Sequence, residues 1–132
     1  MKKGFIENIE ERTAANSDFR RVIYTAQHVQ LVLMSLGAGE EIGEEVHAES
    51  DQFFRIETGA GEVSMNGIAT PFEAGSAIVI PAGVRHNIRN TGRAPLQVYT
   101  LYAPPHHVDG TVHATRADAT AAEEHFAGKT TE

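Results

Sequence analysis

Carboxylate, imidazole and amide side chains follow one another closely in the stretch IGEEVHAESDQFFRIETG. Glu45 and His47 are two positions apart, so on an extended strand their side chains point to the same face. Gln52 opens the next run, where its same-face companions Phe54 and Ile56 are apolar, so Gln52 is also predicted to point into the interior. Oxygen and nitrogen donors that point inward together can hold a metal ion or a polar ligand.

An imidazole in a later segment extends this set. In GSAIVIPAGVRHNIRN, His86 follows a proline–glycine bend and stands two positions before Ile88. His86 is therefore predicted to share a face with a core residue, as Gln52 does. A site made from both segments requires a fold that brings them together.

The chain has the pattern of a β protein, with short alternating or apolar runs separated by glycine, proline and asparagine. Asn66–Gly67 between two of these runs predicts a tight hairpin turn. The predicted strands cover residues 21–26, 29–36, 44–48, 52–58, 61–66, 68–73, 76–81, 85–90 and 95–103. So many short strands predict an all-β sandwich or barrel whose interior is apolar except at a functional site.

Size, charge and composition limit the class of function. A chain of 132 residues is long enough for one domain with its own core and too short for two ordinary domains. The formal charge is -7 without a block of lysine or arginine, so we expect neither nucleic acid nor a membrane as a partner. Cysteine is absent, which excludes disulfides and thiolate zinc sites, and no apolar run suggests a signal peptide or membrane span. We therefore expect a soluble cytoplasmic protein.

Both ends of the chain differ from the predicted strands. The N-terminal arm before the first strand is predicted to cover a sheet edge or to pair with a neighbouring subunit, and we expect a homodimer. Residues 114–132 are rich in alanine and charge and predict a short surface helix or a tail. Thr120 and Glu123 have the spacing of a capping box, and Gly128 is a predicted stop.

Residues 75–90 resemble the second conserved motif of the cupin superfamily at every defined position. The matching residues, at the spacing that the family uses, are Gly75, Pro81, Gly83, His86 and Asn90. Glycine, proline and asparagine at these positions have a structural role in turns, which leaves His86 as the residue with chemistry.

The first cupin motif has two registers on this chain. If His47 takes the first histidine position, the position of the glutamate falls on Phe53 or Phe54, which cannot ligate a metal. The register that keeps every spacing instead runs from Gly39 to Gly59. We adopt this second register.

In the adopted register, Glu45 replaces the first histidine of the motif, His47 takes the second position, and Gln52 replaces the glutamate. The resemblance therefore implies one divalent metal ion held by Glu45, His47, Gln52 and His86. Two imidazoles, one carboxylate and one amide carbonyl suit iron, manganese, nickel, cobalt or zinc, and disfavour copper(I).

The resemblance also implies the fold. We expect a cupin jelly roll, a double-stranded β-helix barrel, as a single domain over residues 1–132. The conserved barrel is expected at about 29–103, followed by a C-terminal loop and tail at 104–132. The chain looks similar to small single-domain bacterial cupins.

Side chains around the four ligands have open roles. Glu44, Glu49 or Asp51 could replace Glu45 as the carboxylate, and Asp51 otherwise suits a turn or an acceptor that orients a ligand. The residues predicted to line the pocket or to contact the ligands are Glu49, Asp51, Phe54, Tyr102 and His107.

Residues 104–113 form a proline-rich loop that carries a second group of donors: His106, His107, Asp109 and His113. We expect this loop to close over the mouth of the barrel or to be exposed, rather than to hold a second metal.

Two functional classes fit such a site. One is a metal-dependent enzyme of the dioxygenase or isomerase type acting on a small polar or anionic metabolite, with Glu49, Tyr102 or His107 as alternative general bases. The other is a non-catalytic binding or sensor module in which the ion anchors a small-molecule ligand. A divalent ion beside one carboxylate leaves a charge of about +1, so Gln52 in place of glutamate predicts a preference for anions.

Overall fold

A computed structural model describes residues 1–122 and 124–132. The predicted strands are present with bounds that differ by at most one residue, except for the segment 44–48. In chain order the strands are β1 Arg20–Thr25, β2 Gln30–Leu36, β3 Asp51–Thr58, β4 Ala60–Met65, β5 Ile68–Glu73, β6 Ala77–Ile80, β7 His86–Asn90, β8 Leu96–Ala103 and β9 Val112–His113. The helices are α1 Ile9–Ala14 and α2 Arg116–Ala121. Strand β9 and helix α1 were not predicted.

The strands of the described residues form two antiparallel sheets. One sheet has six strands in the order β6-β3-β8-β2-β1-β9, and the other has three in the order β5-β4-β7. The all-β prediction is therefore confirmed. Neither helix of the described residues is long and apolar enough to cross a membrane.

The core is made by alternate residues of both sheets, as strand periodicity requires. Its largest buried apolar side chains include Met34, Leu36, Phe54, Ile56, Ile80, Ile88 and Leu96. Each such side chain contributes about 1.5–3 kcal/mol through the removal of apolar surface from water. Polar side chains are also buried on these strands, and four of them are Gln30, Gln52, His86 and Thr100. Buried polar groups need partners, so these four residues locate a functional region inside the fold.

The predicted hairpin at Asn66–Gly67 is confirmed. Asn66 has φ 50° and Gly67 has φ 83°, and both positive values are required by a two-residue turn of type I′. The turn joins β4 to β5, with Met65 paired to Ile68.

The predicted strand at 44–48 is wrong. This segment makes one isolated bridge, in which Glu45 pairs with His86, and no regular ladder. Gly43 turns the chain with φ 105°, and the backbone oxygen of His47 accepts from Gly83 N at 2.9 Å instead of continuing the pairing. The segment is therefore anchored at two points against β7 and the bend before it.

The N-terminal arm packs against the six-stranded sheet through its helix. Its helix α1 begins after Asn8, whose side chain accepts from Glu11 N, and packs against the central strands β8 and β3. Gln97 on β8 holds the arm by donating to Ala14 O at 2.8 Å and Asn16 O at 3.0 Å. The arm is thus held against two inner strands of the six-stranded sheet, and edge cover and the homodimer stay predictions.

The predicted C-terminal helix is confirmed, but its capping box is a different one. Thr115 and Asp118 cap α2 reciprocally, with Asp118 N donating to Thr115 Oγ1 at 3.1 Å. Thr120 lies inside the helix and donates to Arg116 O, and Glu123 is outside the described residues. The helix ends at Ala121, before Gly128, because Ala122 already has extended backbone.

Candidate metal centre

Three predicted ligands converge. Each of Glu45, His47 and His86 offers one ligand atom, and these atoms lie within 4.8 Å of one another. Both histidines are buried, and the Glu45 side chain is 30% exposed. The backbone pairing of Glu45 with His86 and the anchored turn at His47 position the group. These three residues could bind a metal ion.

His86 is oriented for ligation by its other ring nitrogen. Nδ1 lies 2.9 Å from Val84 O, and a carbonyl only accepts, so Nδ1 carries the hydrogen and Nε2 keeps its lone pair. Burial lowers the pKa of His86, partly opposed by this hydrogen bond. The ring is therefore neutral near pH 7, which is the form that binds metals.

His47 and Glu45 face a shared position. His47 Nε2 lies 3.0 Å from Glu45 Oε2, yet no described residue completes a well-directed hydrogen bond to this buried nitrogen. Burial raises the pKa of Glu45, but the His47 imidazole and the charge of Arg20 outweigh it and hold the pKa below its usual value. Glu45 is therefore a carboxylate near pH 7, and a cation between the two groups would satisfy both.

Gln52 points inward, as predicted, and has one unsatisfied atom. Its Nε2 donates to Thr100 Oγ1 at 3.0 Å, whereas its buried Oε1 has no hydrogen-bond partner among the described residues. A buried acceptor left without a partner costs about 1–3 kcal/mol. Gln52 pairs with Tyr102 across β3 and β8, and the Tyr102 ring packs 5.5 Å from the His47 ring. A metal ion is one group that could satisfy this oxygen, and the role of Gln52 as a ligand stays a prediction.

Tyr102 and His107 belong to a buried chain of polar groups. Tyr102 Oη lies 3.3 Å from His107 Nε2, and His107 Nδ1 lies 2.6 Å from Glu124 Oε1. Burial lowers the pKa of His107 and raises the pKa of Tyr102, so both are neutral near pH 7. Glu124 was not predicted, because nothing local in the C-terminal sequence marks it as a partner of this loop.

Gln30 anchors the loop of residues 104–113, called the histidine loop below, and was not predicted. Its Nε2 donates to His107 O at 2.8 Å, and its Oε1 accepts from His106 N and His107 N at 3.2 and 2.9 Å. The centroid of the His106 ring lies 4.3 Å from the centroid of the His47 ring. Of the two expected placements, the loop therefore packs beside the candidate ligands and is not simply exposed. A glutamine on the inward face of β2 was the available signal, and it is the same signal that located Gln52.

The rest of the histidine loop is occupied elsewhere. His113 Nδ1 lies 3.4 Å from Nη1 of the buried Arg20, and Asp109 accepts from Thr131 Oγ1 at 2.8 Å. Arg20 brings a positive charge into the interior, and its Nε has no partner among the described residues.

A cavity of about 350 Å³ opens beside His47. Its lining is provided by residues 46–50, Pro104, Pro105, His106, His125 and Phe126. Glu49 is exposed at this cavity, and its role in the pocket stays a prediction. Asp51 instead accepts from Ala82 N at 2.9 Å in the bend before β7, and Phe54 lies in the apolar core.

Comparisons with known proteins agree with this architecture. The Cupin domain family model matches residues 32–102. Protein YrkC of Bacillus subtilis (strain 168) is 49% identical over 128 residues, which cover 92% of this chain and 69% of YrkC. Protein L612 of Acanthamoeba polyphaga mimivirus is 39% identical over 117 residues, which cover 85% of this chain and 72% of L612.

A solved structure is also closely similar. BH2720 from Bacillus halodurans superposes with a TM-score of 0.89 at 48% identity, covering 91% of this chain and 96% of that chain. This similarity confirms the predicted double-stranded β-helix. The names of these three proteins state neither a substrate nor a reaction.

Proposed function

We propose that this protein, which belongs to the cupin family, binds one divalent metal ion and is a metal-dependent enzyme that acts on a small anionic metabolite. The ligands are Glu45, His47, His86 and the carbonyl oxygen of Gln52. The observation that carries the proposal is the convergence of three ligand atoms within 4.8 Å in a mostly buried site. Iron, manganese, nickel, cobalt and zinc suit this mixture of imidazole and oxygen donors.

The side chains are already in the states that a divalent ion needs. His86 keeps the lone pair of Nε2 free, Glu45 is ionised, and Gln52 Oε1 lacks a partner among the described residues. When bound, a divalent ion would polarise a carbonyl group or bind dioxygen. The chain itself orients the ligands and covers one side of the site through His106 and the loop held by Gln30.

Charge favours an anionic metabolite. A divalent ion with the carboxylate of Glu45 leaves about +1, because the buried guanidinium of Arg20 is offset by the mostly buried carboxylate of Glu124. Gln52 contributes no compensating negative charge. A carboxylate or an enediolate that enters by the cavity beside His47 would neutralise this excess.

A binding module is the second candidate, and one observation favours it. Tyr102 and His107, two of the three candidate bases, are already hydrogen-bonded to each other, and His107 is also hydrogen-bonded to Glu124. Neither is free to act as a base without rearrangement. Glu49, the third candidate base, is exposed at the cavity.

Ligand binding and turnover distinguish the two candidates. Protein reconstituted with Fe²⁺ or Mn²⁺ is titrated with small carboxylates by calorimetry, and turnover is followed by oxygen uptake and by NMR of the added metabolite. The enzyme predicts turnover that is lost in His47→Ala/His86→Ala and kept in His28→Ala, which removes an exposed imidazole. Tight binding without turnover would support the module instead, and the absence of any anion binding would contradict both.

A further inference from the structure

Two hydrogen bonds connect the C-terminal segment to Tyr102, a cross-strand neighbour of the proposed ligand Gln52. Glu124 contacts His107, and His107 contacts Tyr102, at 2.6 and 3.3 Å. Tyr102 in turn lies directly across the β3–β8 pair from Gln52. Glu124 thus connects residues beyond the barrel to one of the four proposed ligands.

The direction of each hydrogen bond is determined by Glu124. Its Oε2 accepts from Val108 N at 2.7 Å, and its Oε1 faces His107 Nδ1. A carboxylate can only accept, so the His107 hydrogen is on Nδ1. In the neutral ring Nε2 is then an acceptor, and it receives the hydrogen of the Tyr102 hydroxyl group.

This direction matters at Gln52. The Gln52 amide group is engaged by Thr100 Oγ1, which leaves Oε1 facing the interior. The Tyr102 hydroxyl group is a neighbouring protein donor, because the two residues are cross-strand neighbours and their side chains are within hydrogen-bonding reach. As long as His107 accepts the Tyr102 hydrogen, Gln52 Oε1 remains open.

We propose that Glu124 is a positioning residue of the metal centre, which acts through His107 and Tyr102 to keep the carbonyl oxygen of Gln52 free for the metal. The inference rests on the proposed function, because it requires Gln52 to be a ligand. It adds a role for the C-terminal segment, whose own contact with the loop is reinforced by Phe126 N, which donates to His106 O at 2.8 Å.

The substitution Glu124→Gln keeps the size of the side chain but reverses the direction of the hydrogen bonds from residue 124 through His107 to Tyr102. Val108 N can only donate, so it retains the remaining oxygen of the new amide, and the NH₂ group faces His107 Nδ1. His107 must then carry its hydrogen on Nε2 and donate to Tyr102. The Tyr102 hydroxyl group is released to donate to Gln52 Oε1, which occupies the ligand atom.

Glu132→Gln is the matched control. Glu132 is another carboxylate of the same tail, and like Glu124 it accepts from one side chain and from backbone nitrogen. Its partners are Tyr24 Oη at 2.6 Å and Lys3 N at 2.8 Å. Its substitution removes the same charge and disturbs the docking of the tail, but it leaves the hydrogen bonds from Glu124 through His107 to Tyr102 unchanged.

Titration with Co²⁺, followed by visible absorption, measures the effect. Loss of such an outer hydrogen-bond partner typically weakens metal binding about 10- to 100-fold, and we expect this in Glu124→Gln but not in Glu132→Gln. The Tyr102→Phe substitution in the Glu124→Gln background removes the competing hydroxyl group and should restore most of the affinity. Nitrogen-15 shifts of His107 in the metal-free protein should show the hydrogen on Nδ1 in the wild type and on Nε2 in Glu124→Gln.

The outcomes separate the two proposals. Unchanged Co²⁺ affinity in Glu124→Gln, or equal losses in the two Glu→Gln variants, would overturn the role of Glu124 while the metal centre stands. A wild type that binds no Co²⁺ would overturn the proposed function and this inference with it. A His107 hydrogen on Nε2 in the metal-free wild type would refute the hydrogen-bond direction by itself.

Discussion

Glu45 and His86 are joined through their backbones, although they belong to different motifs. Glu45 N donates to His86 O at 2.8 Å, and His86 N donates to Glu45 O at 2.9 Å. This reciprocal pair places two ligands from distant parts of the sequence side by side. Among the neighbouring acidic residues, we therefore assign Glu45 as the ligand, because its carboxylate lies within 4.8 Å of the ligand atoms of both histidines.

The assignment of Glu45 as the carboxylate ligand can be tested by comparison with Glu44. We expect Glu45→Gln to weaken Co²⁺ binding by at least the 10- to 100-fold that loss of an outer partner costs. Glu44→Gln removes the same charge from an exposed side chain and should bind as the wild type does. Calorimetric titration measures both, and a larger loss in Glu44→Gln would show that the assignment is wrong.

The neutral ligand Gln52 is predicted to set the preference for anions. In Gln52→Glu, a second carboxylate lowers the charge of the loaded site by one, so metal binding should tighten and binding of small carboxylates should weaken. Calorimetry of the metal and then of the carboxylate gives the two constants separately. Carboxylate affinity that does not change would refute the electrostatic argument.

Gln52 and His86 could be located from the sequence because the period of a strand determines the face of each side chain. Gln30 has the same signature on β2 and could have been found in the same way. Glu124 could not, since its partner lies in a loop that only tertiary closure brings near. The segment 44–48 has the alternation of a strand, yet Gly43 and the bend after His47 limit it to one bridge, which no local pattern indicates.

The stability of the metal-free protein is expected to depend on pH through His106. Burial, with the neighbouring His107 and His47, lowers the pKa of His106 to about 4, whereas an imidazole in the unfolded chain has a pKa of about 6.5. Between these values the unfolded chain binds more protons, so the free energy of unfolding falls as the pH is lowered from about 6.5 to about 4.

Urea unfolding at several pH values checks this dependence. The slope should be smaller in His106→Gln, which removes the titrating group, and unchanged in His28→Gln, where the histidine is exposed. A slope in His106→Gln as steep as that of the wild type would contradict the assignment.

Gly61 is predicted to be essential for the packing of the sheet that carries His86. A Cβ atom there would press on the Arg89 carbonyl oxygen and lie 2.7 Å from Phe72 Cζ. We expect Gly61→Ala to lower the free energy of unfolding by about 1–3 kcal/mol or more, the usual cost of overpacking. In Gly92→Ala the nearest contact would be 3.5 Å, so chemical denaturation should find nearly wild-type stability. Equal stability of the two variants would contradict the packing.

The presence of the metal itself is tested most directly by elemental analysis of protein purified without chelators or an affinity tag. We predict about one equivalent of a divalent metal, such as iron or manganese, in the wild type. The double substitution His47→Ala/His86→Ala should lose it while the protein remains folded by circular dichroism. A wild type without metal even after reconstitution, or a double variant that keeps its full equivalent, would contradict the metal centre.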